Sequence, residues 1–217
     1  MGASSSIIII GAGGHGRAAM DVAISSGSKV LAFIDEALAG QDMLGVPIIA
    51  RAEDITTPSD CTFFVAIGDN ILRQSVVEKT RQEMPGHFAA ILVHRTAYVS
   101  PLASLAPGSI VMGNAFVGPN CTIGEGCILN TGSQIDHDGI MGAYSSLGPK
   151  ACLGGTVKLG VRAVIGIGAT VKHGLQIGDD SILAAHAYLH QSMPSSSIYM
   201  GVPAAFYKKR RANEKYL

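Results

Sequence analysis

Residues 115–154 read AFVGPNCTIGEGCILNTGSQIDHDGIMGAYSSLGPKACLG, with an aliphatic residue at every sixth position: Val117, Ile123, Leu129, Ile135, Met141, Leu147 and Leu153. The register continues unbroken back through Val111 and Leu105 to Val99. It runs forward through Leu159, Ile165, Val171, Ile177 and Leu183 to Leu189. Two positions before each aliphatic residue the chain is mostly small, as at Ala115, Cys121, Cys127, Ser133, Gly139, Ser145 and Ala151. Directly after it glycine is frequent, as at Gly118, Gly124, Gly142, Gly148 and Gly154. An amphipathic helix repeats its apolar positions every three or four residues, and a half-buried strand every two. A period of six fits a parallel β-helix in which each short strand is one hexad, with roughly five coils at three hexads per coil. The aliphatic side chain fills the interior and the small residue fits the corner beside it. The glycine is expected to give the turn its backbone angles. The period leaves the hand of the solenoid open, although parallel crossovers are in general right-handed.

Upstream of residue 94 the pattern changes. Ser6–Ile10 is an apolar β run ending in Gly11, and His15 to Gly27 reads as a helix with Ala18, Ala19, Val22 and Ala23 on one side. Lys29–Ile34 is a second strand that ends at Asp35 and Glu36. Val46–Ala50 reads as a short edge strand, consistent with Pro47. Cys61–Ile67 is a further strand, Asn70 to Glu83 a helix, and Phe88–Val93 a last strand. Strands alternating with helices predict a small parallel sheet covered by helices. The expected organisation is an α/β Rossmann-like domain over 1–94, a β-helix over 95–193 and a terminal tail over 194–217. The tail holds Gly201-Val202-Pro203-Ala204 and the basic run Lys208 to Arg211, which reads as a solvated terminus or, more sharply, a phosphate contact.

Composition narrows the function classes. Lys plus Arg and Asp plus Glu both number 16, so no bulk field attracts nucleic acid or an anionic membrane. No apolar stretch is long enough to span a bilayer. The start, MGASSS, matches the myristoylation pattern in form through Gly2 and Ser6, but reads better as a flexible leader. The four cysteines show neither a disulfide frame nor zinc-ligand spacing, and Cys121 and Cys127 occupy the small-residue register. The expectation is a cytoplasmic protein with no metal.

Two segments can carry chemistry. Gly11-Ala-Gly13-Gly14-His15-Gly16 follows a strand and opens a helix, the setting of a phosphate-cradling loop. Asp35 ends the next strand, where an acid meets ribose hydroxyls. Only one βαβ half fits in this region, which argues against a nicotinamide dinucleotide. His15 reads as a hydrogen-bond donor to phosphate or sugar, or as a helix-start residue facing water. The second segment is Asn130 to Asp138. His137, two residues after the inward Ile135, should point outward from a turn, and flanking Asp136 and Asp138 raise its basicity and fix its tautomer. That suits a general base. One coil on, Gly155 is expected to leave an opening above His137 for a reacting group; one coil further, His173 reads as a surface residue. The remaining histidines, among them His87, His94, His186 and His190, form no constellation.

Taken together, GAGGHG, the hexads with NTGSQIDHD, the following LGG and the terminal GVPA resemble the nucleotide-sugar N-acetyltransferases. That group includes the bacillosamine-pathway and perosamine enzymes and the related sialic-acid O-acetyltransferases. The resemblance covers nearly the whole chain. It implies a left-handed β-helix, a homotrimer, and acetyl-CoA lying along the β-helix between neighbouring subunits. It implies that the amino-terminal domain holds a nucleotide-sugar. It assigns His137 as the catalytic histidine and Asp138 as its supporting carboxylate. Gly13, Gly14, His15, Asp35, Glu36 and Gly68 match nucleotide-sugar positions; Gly155 and Ile167 match acetyl-CoA positions. Ser146 stands where the family commonly has a histidine near acetyl-CoA. The expected reaction is acetylation of the 4-amino group of a nucleotide-linked 4-amino-4,6-dideoxy sugar. The alternatives are O-acetylation of a sialic acid or related sugar, and a non-catalytic nucleotide-sugar-binding protein.

Overall fold

Four consecutive isoleucines, Ile7 to Ile10, are too apolar for a solvated strand, and they form the middle of a sheet. The computed structural model describes residues 6–56, 58, 61–83, 89–211 and 214. The chain divides into two units, Met1–Arg95 and Thr96–Leu217. In the first, β1 (Ser6–Ile10) is followed by α1 (Gly14–Ser25), β2 (Lys29–Ile34), β3 (Asp42–Met43), β4 (Val46–Ile49), β5 (Thr62–Val65) and α2 (Asn70–Glu83). The sheet order is β3-β4-β2-β1-β5, with β1, β2, β4 and β5 parallel. The strand containing Pro47 is therefore not at the edge: β3 pairs antiparallel beyond it, with Asp42 opposite Pro47. On α1 the buried side chains are Ala19, Met20, Val22 and Ala23, the predicted apolar side with Met20 added and Ala18 only partly covered. Of the expected strand Phe88–Val93, Leu92–Val93 is a strand among the described residues, but it is not part of this five-stranded sheet; Phe88, His87 and Gly2 lie outside the described residues. From β1 the chain passes to β2 on one side and later to β5 on the other. The carboxyl end of β1 is thus a topological switch point, where open α/β sheets bind ligands.

The second unit is a parallel β-helix of two-residue strands, from Tyr98–Val99 to Tyr188–Leu189, one in every hexad. Each strand pairs with those one coil away, as Phe116–Val117 does with Gln134–Ile135 and with Tyr98–Val99. The register aliphatics from Val111 to Leu189 are at most 2% exposed, which confirms them as the interior. Only Val99 and Leu105, in the first coil, are partly exposed. Ala115, Cys121, Cys127, Ser133, Ser145 and Ala151 are buried in the corners, and the four cysteines are free thiols.

The glycines after the aliphatic positions have a different cause from the one the sequence suggested. The left-handed residue of each turn comes two places later, at Asn120, Asp138, Tyr144 and Thr156 among others, with Asp138 at φ +56°. Glycine follows the aliphatic residue because the next coil passes too close for a side chain: a Cβ on Gly142 would stand 2.7 Å from the Gly160 carbonyl carbon and the Val161 nitrogen. The last segment is not a loose tail either. Ser197–Gly201 joins the sheet beside Ile182–Leu183 and turns back antiparallel through Ala204–Lys209. The basic run is partly structural. Arg210, 7% exposed, donates to the Asp180 carbonyl at 3.1 Å, and Lys208 pairs with Glu214, so these two cations are engaged within the protein.

Candidate active site and nucleotide cleft

His137 stands in the turn after Gln134–Ile135, with its side chain 53% exposed. Its backbone is held on both sides. The N–H donates to the Asp136 carboxylate at 2.8 Å, and the carbonyl accepts the Thr156 N–H at 2.8 Å. Nδ1 lies 2.7 Å from Oδ2 of Asp138, and Nδ2 of Asn120, one coil below, donates to the other Asp138 oxygen at 3.3 Å. The left-handed backbone of Asp138 turns its carboxylate back onto the preceding imidazole. With Nδ1–H donating to Asp138, the neutral ring keeps its lone pair on Nε2. The hydrogen bond to Asp138, helped by the charges of Asp136 and Asp138, holds the imidazole above its usual pKa; the same contact and Asn120 hold Asp138 below its own. Asn120 carries no motif, and only the eighteen-residue coil repeat could have found it.

Gly155 does sit one coil above His137, but the space there is filled by the imidazole itself. A Cβ at Gly155 would fall against Nε2 and 2.6 Å from Cε1. The Gly155 N–H has no partner among the described residues and is free to donate. Two cysteines lie near this corner. Cys121 donates its thiol to the Asp136 carbonyl at 2.9 Å, while Cys152 is partly exposed beside Gln134. Burial is the main reason that both thiols are held above their usual pKa, so neither is a ready nucleophile. His173 is exposed on the next coil of the same corner.

Ser146 and Ile167 are not beside His137. Ser146 opens a strand of a different sheet, the one that pairs it with Ile128 and Val164, and it is 7% exposed. Ile167 follows the Val164–Ile165 strand of that same sheet and is 53% exposed. Within one chain the predicted acetyl-CoA residues thus fall into two groups on different corners.

In the first unit the glycine loop caps the switch point. Gly11, at φ +97°, takes the left-handed turn at the end of β1. Gly13 and Gly14 have nothing within 4 Å of where a side chain would begin, so the protein itself does not require glycine there and a ligand can approach their backbone. The amino end of α1 has no side-chain cap and no acid in its first turn, which leaves its N–H groups for an anion. His15 has Nε2 buried with no partner among the described residues. Burial, then the nearby Arg73 charge, pushes its pKa down to about 4. It is therefore neutral near pH 7 and meets a ligand as an uncharged hydrogen-bonding group. Arg73, on α2 and 1% exposed, donates to the carbonyls of Ile67 and Gly68 at 2.8 and 2.9 Å and to the Asn70 side chain at 2.6 Å. It fixes the turn that carries Gly68. Asp35 accepts the Ala12 N–H at 2.9 Å and the Ala37 N–H at 3.2 Å, so it anchors the glycine loop as well as lining the cleft beside Glu36.

Comparison with known proteins is consistent across the chain. Residues 6–80 match the PglD N-terminal domain. Over 94% of its length the chain resembles a mutant of GDP-perosamine N-acetyl transferase from Caulobacter crescentus, in complex with CoA and GDP-perosamine. The identity is 34%, the TM-score 0.87, and 98% of that chain is covered. It resembles the acetyltransferase domain of PglB from Neisseria gonorrhoeae, in complex with acetyl coenzyme A, at 29% identity and a TM-score of 0.87, with 94% of this chain and all (100%) of that one covered. WeeI from Acinetobacter baumannii matches at 25% identity and a TM-score of 0.84, over 94% of this chain and 100% of the other. A curated relative, the uncharacterized protein L142 of Acanthamoeba polyphaga mimivirus, is 29% identical over 139 residues, 64% of this chain; that stretch is only 24% of the viral protein. No helix among the described residues is long and apolar enough to cross a membrane.

Proposed function

The chain belongs to the nucleotide-sugar N-acetyltransferases that join a PglD N-terminal domain to a left-handed parallel β-helix, and on that premise we propose that it acetylates the 4-amino group of a nucleotide-linked 4-amino-4,6-dideoxy sugar, with acetyl-CoA as donor. The observation that carries this reading is the His137–Asp138 contact, which leaves a lone pair on Nε2 of an accessible imidazole. The sugar amine attacks the thioester carbonyl and forms the C–N bond. His137 takes the proton that the nitrogen sheds, and the C–S bond breaks to release CoA, whose sulfur takes a proton in turn. The unpaired Gly155 N–H is the donor for the developing oxyanion. The raised pKa of the neighbouring thiols favours direct attack over an acyl-cysteine. Four free thiols suit a reducing compartment, and we place the reaction in the cytoplasm.

The separation of Ser146 and Ile167 from His137 supports a site assembled between copies. A homotrimer brings the two groups of acetyl-CoA residues together across its subunit interfaces. Light scattering is expected to give a trimer mass at micromolar protein, and a monomer with full activity would refute the shared site. The deciding assay is a panel of UDP-, GDP- and dTDP-linked 4-amino sugars, together with free sialic acid, each incubated with acetyl-CoA. Amide formation on one of the nucleotide sugars is expected. Ester formation on sialic acid would instead establish O-acetylation, and no turnover with any acceptor would leave a binding protein.

Glycine loop and β-helix have separate duties in this reading. Asp35→Ala removes a cleft carboxylate and frees the Ala12 N–H that pins the loop. It is expected to weaken nucleotide-sugar binding by about 1–3 kcal/mol, the cost of leaving such a group unsatisfied, and to leave acetyl-CoA affinity unchanged. Titration calorimetry with each ligand checks this; equal loss of both would mean that the duties are not divided.

A further inference from the structure

The carboxyl ends of β1, β2, β4 and β5 and the side of α2 enclose a cleft of about 760 Å³. Part of its lining is aliphatic, from Ile34, Ile67 and Val76, a surface on which a flat ring can rest. The turn after β4 adds Arg51 and Glu53, with Nη1 of the arginine 3.3 Å from Oε1 of the glutamate. That turn is pinned, because the Arg51 N–H donates to the Asp54 carboxylate at 2.9 Å. A planar donor and a carboxylate acceptor therefore stand side by side on a fixed turn, at a cleft that begins at the glycine loop.

Resting on the nucleotide-sugar reading above, we propose that Arg51 and Glu53 read guanine, so that the cleft selects a guanosine diphosphate sugar over its uridine and thymidine counterparts. The guanine edge carries the O6 acceptor next to two donors, N1–H and the N2 amine. A carboxylate accepts N1–H and N2–H in parallel, and the adjacent guanidinium donates to O6. Uracil and thymine present a single N3–H between two carbonyls. A carboxylate that takes that hydrogen sets its second oxygen against a carbonyl. Asp35 is held at the other end of this lining, where its two oxygens accept the Ala12 and Ala37 N–H groups and tie it to the glycine loop. Across the cleft Lys79 and Glu83 also form a pair, 3.5 Å apart, but an ammonium has no planar fork to match an edge.

Calorimetry of the full chain with GDP, IDP, UDP and dTDP tests the assignment, because IDP lacks only the N2 amine. GDP is expected to bind roughly tenfold or more tightly than the other three, the range of a lost paired base contact. Glu53→Gln is expected to bring GDP down to the level of UDP and to leave UDP unchanged. Both side chains are exposed, 71% and 72%, so the substitution does not threaten the fold. Glu83→Gln is expected to keep the preference. UDP or dTDP binding as tightly as GDP overturns the guanine assignment while leaving the nucleotide cleft intact. So does a preference that survives Glu53→Gln or disappears in Glu83→Gln. If none of the four diphosphates binds, the nucleotide-sugar reading itself fails, and this inference with it.

Discussion

His137→Ala is expected to lower kcat by roughly 10²–10⁴, the usual worth of a positioned general base. KM for both substrates should change little, because the proton is taken in the transition state and not on binding. The exposed side chain leaves no cavity, so the fold should be unaffected. His173→Ala, one coil beyond Gly155 on the same corner, is expected to behave as wild type. The pH profile gives a second reading of the same group. Asp138 holds the imidazole above the ordinary value of 6.5, so the base form is lost as pH falls through that raised value. Wild-type kcat/KM should therefore fall on the acid side with an inflection above 6.5. Asp138→Asn removes the main cause of the shift, and the inflection should move to lower pH while the plateau drops. An inflection that stays in place would mean that another group is titrating. Retained activity in His137→Ala, with loss in Ser146→Ala or His15→Ala, would move the base elsewhere.

How much of this could be read from the chain depends on whether the cause is periodic. The β-helix was legible because each coil has three inward aliphatics and a corner too narrow for anything large, a constraint that repeats every six residues. The strand and helix order of the first unit was legible from apolar runs and their punctuation. The terminal hairpin was not, since the mostly apolar run from Ile198 to Tyr207 keeps neither the period of six nor a strict alternation; Arg210 joins the structure through a backbone carbonyl that sequence cannot display. Arg73 was missed for a similar reason. An arginine on a mostly polar helix reads as solvated, yet here it is buried and satisfies the carbonyls of Ile67 and Gly68 in the turn after β5. The post-aliphatic glycines were seen, but sequence cannot distinguish a glycine needed for its dihedral angles from one needed because backbone passes overhead.

Gly155→Ala isolates that distinction at the candidate site. Gly155 does not have a left-handed backbone, so alanine is compatible with its local conformation. The obstacle is only the added Cβ, which would stand 2.6 Å from Cε1 and 3.0 Å from Cδ2 of the His137 ring, and nearer still to Nε2. The ring is half exposed, so the imidazole yields and the coil does not. Moving it breaks the 2.7 Å contact with Asp138 and displaces the base from the reacting nitrogen. A misplacement of about 1 Å costs on the order of 10² in rate, and kcat should fall by that much. The melting temperature should stay close to wild type. Gly154→Ala, next door, meets the backbone nitrogen of His173 at 2.8 Å and should behave in the opposite way, losing stability because a coil must move. If Gly155→Ala keeps wild-type kcat, the ring does not need this seat. If it melts as early as Gly154→Ala, the glycine at 155 serves the spacing of the coils and not the placement of the base.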